Sequence, residues 1–383
     1  MDFSFNDEQR LWQQTVHDFC ENEIRPYAAE LDAEARFRPE AIPSLAALGL
    51  LGLNIPEAFG GAGVDAVSAA LALEELGWAC GGTALSVAAH NGLCCAPISA
   101  FGTDDQKSSW LPGLATGETG LGALALTEPG AGSDLAGGVA TRASLEGDTW
   151  EINGTKAWIT NASLAPLFVV LCRTDPERES HALSMIVVPS DADGVHIHPA
   201  EKKMGMRASP THAIAFDHVR VPADHLLGER GQGLKQTLQI LDGGRVGIAA
   251  MALGMTRAAL EDAVRYADER QTFGRPLKGH QAIQFMLADA ATQLEASRWL
   301  VYRSAWLKGR GENYTLAAAM AKLVASETAE RVSRDAIQVL GSYGYSQDYP
   351  VERVYRDARL LTIGEGTSEV QRMVIARRLL DLD

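Results

Sequence analysis

Several kinds of residue are scarce or missing in this 383-residue chain, and each absence narrows what it can be. Only five cysteines occur, Cys20, Cys80, Cys94, Cys95 and Cys172. Their number is odd and none stands in a CxxC pair. They read as buried or idle thiols of a reducing compartment, not as a disulfide framework or a zinc site. Basic residues are in deficit: 34 Lys and Arg against 49 Asp and Glu leave a net charge of −15. A nucleic-acid partner calls for a basic face, so that class is set aside. No run of 18 apolar residues is present, so no membrane span is expected. The opening MDFSFNDEQR lacks the order of a secretion signal and the Arg and Ser bias of a transit peptide, which points to a cytoplasmic protein. The histidines are scattered. His196 and His198 alternate on a strand-like run without companion ligands and read as surface, so no metal is expected. No GxSxG elbow and no GxGxxG after a strand occur, which weighs against hydrolase and classical dinucleotide folds.

What remains is an ordinary globular composition, 46% hydrophobic and 22% charged, long enough for two to three domains. Residues 1 to about 120 read as helices. Trp12, Val16, Phe19, Cys20 and Ile24 share one helical face behind a cap at Asn6, and TDDQ at 103–106 has the form of a capping box. The texture changes near Gly120. TWEINGTKAWIT carries Asn153-Gly154, a hairpin signal. LFVVLC, ALSMIVV and THAIAFDHVRV are short β-branched runs separated by turns, giving an all-β segment over about 121–230. Helical texture then returns for 231–383, with Ile283, Met286, Leu287, Ala290 and Leu294 on one face. The class is α+β, in the order helices, β-domain, helices.

A few stretches carry chemistry. ALTEPGAGSDLAG (125–137) packs glycines and a proline into a turn whose backbone N–H groups suit an anion or a polar ring edge, with Thr127 and Ser133 as hydroxyl donors. Alone, it is equally a glycine-rich surface turn. KAWITNA places Trp158 and Thr160 two residues apart on one strand face, fit for a planar ring, although a core tryptophan is the plainer reading. ERQTFGRPLKGHQAIQF leaves Arg270 at one helix end, as phosphate ligand or solvated charge, and Gln281 at the next helix start. In LDGGR, Arg245 can pair with a phosphate or with Asp242. QVLGSYGYSQDYPVER is a turn with Gln338 as a polar hook or Gly341 as a plain helix cap. Finally, IGEGTSEVQR sets Glu365 between two glycines, each costly in a helix.

Taken together and in this order, with YRDARLLTIGEGTSEVQR at the end, these stretches resemble the acyl-CoA dehydrogenases along essentially the whole chain, nearest in texture to the short-chain branch. The resemblance implies an N-terminal helical domain (1–120), a middle β-barrel-like domain (121–230) and a C-terminal four-helix bundle (231–383). It implies FAD, an acyl-CoA substrate, an electron-transfer flavoprotein as acceptor and a homotetramer. By that likeness Leu124, Leu126, Thr127 and Ser133 meet the flavin ring, and Trp158, Ile159 and Thr160 cover its other side. Arg270, Phe273, Gln281, Gln338, Gly341 and Ser342 match positions at the pyrophosphate and adenosine end, partly from a neighbouring subunit. Thr367 and Glu369 touch FAD again. Ser133, Asp242, Arg245 and the Gly366 backbone serve the CoA thioester.

Glu365 falls on the family's catalytic base. The resemblance implies that it removes the proton beside the thioester carbonyl while hydrogen bonds to that carbonyl act as an oxyanion hole. The β-hydrogen leaves as hydride to flavin N5, giving a trans-2-enoyl-CoA. Some relatives carry the base at the position of Gly244, which here has no side chain for the task. Two departures stand out. Ser342 replaces a usual glycine, and Gly364 replaces a usual tyrosine, which opens room for branched acyl groups. The alternatives are an acyl-thioester oxidase using O2 and a non-catalytic scaffold of the same fold.

Overall fold

The computed structural model describes residues 4–175, 177 and 182–382; residues 1–3 of the opening segment lie outside it. The chain begins with α1 (Asp7–Phe19). Asn6 accepts from the Gln9 N–H, and the Gln9 side chain accepts from the Asn6 N–H, completing a capping box. Val16, Cys20 and Ile24 are buried, as the spacing predicted. There follow α2 (Ala28–Glu34), α3 (Ile42–Ala47), α4 (Ala66–Ala79), α5 (Gly81–Ala89), α6 (Ala96–Phe101) and α7 (Asp104–Ala115), a π-helical segment His90–Cys95 joining α5 to α6. Thr103 and Gln106 form the predicted box at α7.

Gly81–Phe101 is long and apolar enough to cross a membrane by composition, but 67% of its apolar window is buried inside the protein. Its polar residues show why it is a core helix. The Gly122 N–H donates to His90 Nδ1 at 2.9 Å, so the neutral ring carries its proton on Nε2 and donates to Leu51 O at 2.9 Å. Burial pushes His90 down to about 4, which keeps it neutral.

Eight strands follow: β1 (Ala123–Ala125), β2 (Arg142–Glu146), β3 (Thr149–Thr160), β4 (Leu167–Arg173), β5 (Leu183–Pro189), β6 (Val195–Ala200), β7 (Thr211–Pro222) and β8 (Leu226–Leu227). A single helical turn, α8 (Leu135–Gly138), lies between β1 and β2. The sheet order is β6-β7-β3-β2-β4-β5-β8, with β1 parallel to β4. Every strand sends residues into one apolar interior, among them Trp150, Phe168, Ile186, Phe216 and Val219, so the sheet curls around a common core. On β4 the alternate residues Leu167, Val169 and Leu171 face a second cluster shared with Cys94, Ile98 and Leu111 of the helical domain. Burial on both faces explains the unbroken apolar run LFVVLC.

The hairpin reading of Asn153-Gly154 was wrong. Those residues lie inside β3 at a register shift, where the Gly154 backbone presses on Thr141 and a Cβ would collide with it. The turn falls at Gly147-Asp148, between paired Glu146 and Thr149, with Gly147 at φ 62°. A glycine inside a strand marked close backbone approach, not reversal.

The C-terminal part comprises α9 (Gly233–Glu269), a small β9–β10 hairpin (Gln271–Thr272 with Arg275–Pro276), α10 (Gln281–Gly309), α11 (Thr315–Leu340), α12 (Val351–Leu361) and α13 (Ser368–Leu379). The helix α4 packs directly on α9. Gly254 lies against Glu74 O, where a side chain would not fit. Beside this contact the buried Glu74 accepts from Tyr302 Oη at 2.6 Å and Arg298 at 3.2 Å, while Glu75 accepts from Arg257 and from Gln13 at 2.9 Å. The helical domain and the bundle are thereby one packed body behind the sheet. All five cysteines are free and buried.

Candidate active site

The loop after β1 is built on a buried ion pair. Lys156, fully buried on β3, donates to Glu128 Oε1 at 2.8 Å and to Leu126 O at 3.0 Å. Glu128 also accepts from the Ala140 and Thr141 N–H groups, at 2.7 and 2.9 Å. Burial works to raise the Glu128 carboxyl, but the bonds from Lys156 and Thr141 hold it below the usual range. The Ala157 N–H donates to Thr127 O at 2.8 Å, so Leu126 and Thr127 are fixed against β3. Leu124 is buried, Leu126 and Thr127 half-buried, and Ser133 exposed at the glycine-rich rim.

Trp158 is not a core residue. It is 59% exposed and held at φ 60°, an uncommon backbone conformation for so bulky a residue. Ile159 points the other way into the core, and Thr160 is half-buried on the open side. The core tryptophan is Trp150, whose Nε1 donates to Ala223 O at 3.2 Å. An unpartnered indole beside a hydroxyl and an exposed backbone turn offers a place for a planar ring.

A second group stands over a different apolar cluster at the far end of α9, α10 and α11. Arg270 caps α9, Gln281 opens α10, and Gly341 at φ 61° closes α11, with Gln338 and Ser342 beside it; all are exposed. Phe273, at the tip of the β9–β10 hairpin, is 97% exposed at φ 50°. These residues are aimed outward, away from their own core.

The third group surrounds Glu365. The segment between α12 and α13 turns through Glu365 at φ 51° and Gly366 at φ 93°. Glu365 Oε2 is buried without a hydrogen-bond partner and rests on Gly244 of α9, where any Cβ would strike it. Burial pushes the carboxyl up to about 7, against the pull of the Lys322 and Arg245 cations. Gly244 also lines a cleft between α4, α5 and α9, whose walls include Ala70, Leu73, Asn91, Gly92 and Lys308. Arg245 is buried and bound to Asp242 at 2.5 Å, and Thr315 donates to the other Asp242 oxygen at 2.6 Å. Arg245 thus pairs with Asp242, one of the two partners its sequence context offered. Thr367 caps α13 through the Val370 N–H, and Glu369 is exposed one turn on.

Sequence reasoning missed Lys156, Glu128, Lys322 and Gln371. Two of them had a signal. Lys156 shares the inward parity of Trp150 and Ile152 on β3, and Lys322 falls on the apolar stripe of Ala318, Ala325 and Ala329 on α11. A lysine on an inward face announces a buried polar task.

The α–β–α chain thus presents an exposed tryptophan, a glycine-rich loop and a carboxylate whose Oε2 is buried and without a partner, the kinds of group that a ring-binding, proton-abstracting enzyme uses. The family models for acyl-CoA dehydrogenase match it in three parts: the N-terminal domain over residues 6–118, the middle domain over 123–219 and the C-terminal domain over 231–380. The chain is 47% identical over 381 residues to the probable acyl-CoA dehydrogenase YngJ of Bacillus subtilis (strain 168), covering 99% of this chain and 100% of that protein. It is 46% identical over 371 residues to the mitochondrial short-chain specific acyl-CoA dehydrogenase of Bos taurus, covering 97% and 90%. The solved butyryl-CoA dehydrogenase of Megasphaera elsdenii superposes with a TM-score of 0.96 at 43% identity, covering 99% and 100%. The chain belongs to the acyl-CoA dehydrogenase family, FAD flavoproteins and oxidoreductases of acyl-CoA. The exposed Trp158 and the half-buried Thr160 fit such a cofactor without rearrangement of the core.

Proposed function

We propose that this protein dehydrogenates short acyl-CoA thioesters, including branched ones, to trans-2-enoyl-CoA, with Glu365 as the base. The observation that carries the reading is the Glu365 carboxylate itself: half-buried as a residue, with Oε2 buried, without a partner and packed on side-chain-free Gly244, which lines the cleft. Such a group takes up a proton readily near pH 7. Glu365 withdraws the proton next to the thioester carbonyl. The Gly366 N–H, which has no acceptor among the described residues, receives the carbonyl oxygen as charge develops there. Ser133, Asp242 and Arg245 hold the CoA portion, with Asp242 keeping the guanidinium in place. A bound FAD would supply the acceptor for the hydride that leaves the neighbouring carbon. Leu124, Leu126, Thr127, Ser133 and Trp158 to Thr160 would hold its ring, with Thr367 and Glu369 at a further contact.

Arg270, Phe273, Gln281, Gln338, Gly341 and Ser342 serve the adenosine end of a cofactor held by a second copy of the chain. The nearly full exposure of Phe273 supports that use and, with it, a homotetramer. The three functional units are 1–120, 121–230 and 231–383. The protein acts in the cytoplasm and passes electrons to an electron-transfer flavoprotein. At Gly364 the nearest atoms an added Cβ would meet belong to Leu360, at ordinary contact distances of 3.6 Å or more, and the position itself brings no side-chain bulk before Glu365. This supports tolerance of branched acyl groups.

The test is to mix the yellow protein anaerobically with butyryl-, isobutyryl-, 2-methylbutyryl- and isovaleryl-CoA and follow flavin bleaching. Bleaching by short thioesters, branched ones within about tenfold of butyryl-CoA, is expected. No bleaching by any of them would refute the activity, and a sharp preference for butyryl-CoA would refute the branched-chain reading alone. Hydrogen peroxide release under air at the rate of turnover would assign the protein as an oxidase instead.

A further inference from the structure

Lys322 has no part in the assignments above, yet it is fully buried, in the apolar stripe of α11 that packs toward α9 and α13. Taking an ammonium out of water costs several kcal/mol unless its donors are used, so a lysine here calls for a reason. Its Nζ donates to Gly366 O at 2.6 Å. The same carbonyl accepts from Gln371 Nε2 at 2.9 Å, and Gln371 reaches Glu365 O at 3.4 Å. The two residues so tied are the two in left-handed backbone, Glu365 and Gly366. A glutamate disfavours that conformation by about 1–2 kcal/mol, so the turn needs to be held.

We propose that Lys322 is a positioning residue for the base: it tethers the Gly366 carbonyl and sets its buried charge beside Glu365, fixing the direction and the ionisation of that carboxylate. It does so without touching Oε2, which has no partner, and therefore acts through the loop and through its field. The charges around the carboxylate are few. Lys322 faces it from α11 and Arg245 from α9, the latter already bound to Asp242. Lys322 in turn faces Glu369 of α13 and Glu327 of its own helix. Burial and the nearby Arg245 pull the lysine down to about 8 despite Glu365, so it is a cation at pH 7. A tether without charge would leave the loop formed but the base harder to ionise.

The inference rests on Glu365 as the base, and the experiment separates the two. Lys322→Met and Lys322→Gln are prepared as holoenzymes, and FAD content, melting temperature, kcat and KM for butyryl-CoA are followed against pH. Exchange of the α-hydrogens of butyryl-CoA with D2O is measured anaerobically. Lys322→Met should keep FAD, lose about tenfold or more in kcat at pH 7 with KM little changed, and move the rising limb of the rate profile up by about one pH unit. Lys322→Gln keeps a donor without a charge and should show the same limb shift with a smaller loss of kcat. An FAD-loaded Lys322→Met with unchanged limb and exchange rate overturns the proposal. Failure of both variants to fold does so too, making Lys322 a stability residue only. Absence of α-hydrogen exchange in the unaltered protein would instead sink the Glu365 reading, and this inference with it.

Discussion

Two loops of this molecule are held by the same device and left in opposite electrostatic states. After β1, Lys156 donates to the carbonyl of Leu126 and closes an ion pair with Glu128, whose oxygens are also filled by backbone N–H groups. Before α13, Lys322 donates to the carbonyl of Gly366, but Glu365 Oε2 is left without a partner. One carboxylate is satisfied and held low; the other has a buried oxygen without a partner and is pushed up to about 7. The difference separates scaffold from reagent. A carboxylate saturated by donors shapes a loop, whereas one denied them is poised to take a proton.

The largest effect should come from removing the reagent. Glu365→Gln keeps volume and FAD while lowering kcat by about a thousandfold or more, read by flavin bleaching with butyryl-CoA. Retention of substantial turnover would show that the unpaired carboxylate is not the base. Removing the scaffold lysine should fail differently. Lys156→Met strands Glu128 in the interior and should cost about 3–5 kcal/mol by denaturant unfolding, with loss of FAD. Lys156→Met combined with Glu128→Leu should recover much of that stability, since no lone charge is left. If the single variant is as stable as the parent, the symmetry of the two loops is superficial.

Gly244→Ala probes the contact between α9 and Glu365. The new methyl group strikes Glu365 Oε2, so kcat/KM should fall about tenfold or more while the melting temperature changes little. The smallest effect is one of stability against pH. Glu365 holds its proton more tightly folded, at about 7, than unfolded, at 4.5. Its contribution is therefore full below about 4.5 and lost as pH climbs through about 7. Glu365→Gln, always neutral, should match the parent near pH 4.5 and exceed it by about 1–3 kcal/mol above pH 7.5. A constant difference across that range would mean the carboxylate titrates as if in water.

The order of helices, sheet and helices was legible in the sequence because periodicity is local: the Asn6 and Thr103 caps, the apolar runs of β4 and β5 and the face of α1 depend on neighbours a few residues away. Glu365 and its glycines were legible for a related reason, since two glycines around one carboxylate demand a turn wherever it lies. The strand glycine misled. Gly154 has the same local signature as a hairpin turn, and only the approach of Thr141 from another segment makes it a bulge. Trp158 misled likewise, because exposure is set by what packs on a strand and not by the strand itself. The tertiary structure alone decided which carboxylates are satisfied. Glu128 meets a lysine 28 residues away, and Glu365 takes its surroundings from Lys322 and Gly244, far off in the chain. A side chain's chemistry is written in its residue type, but its ionisation belongs to the groups that folding brings within a few ångströms of it.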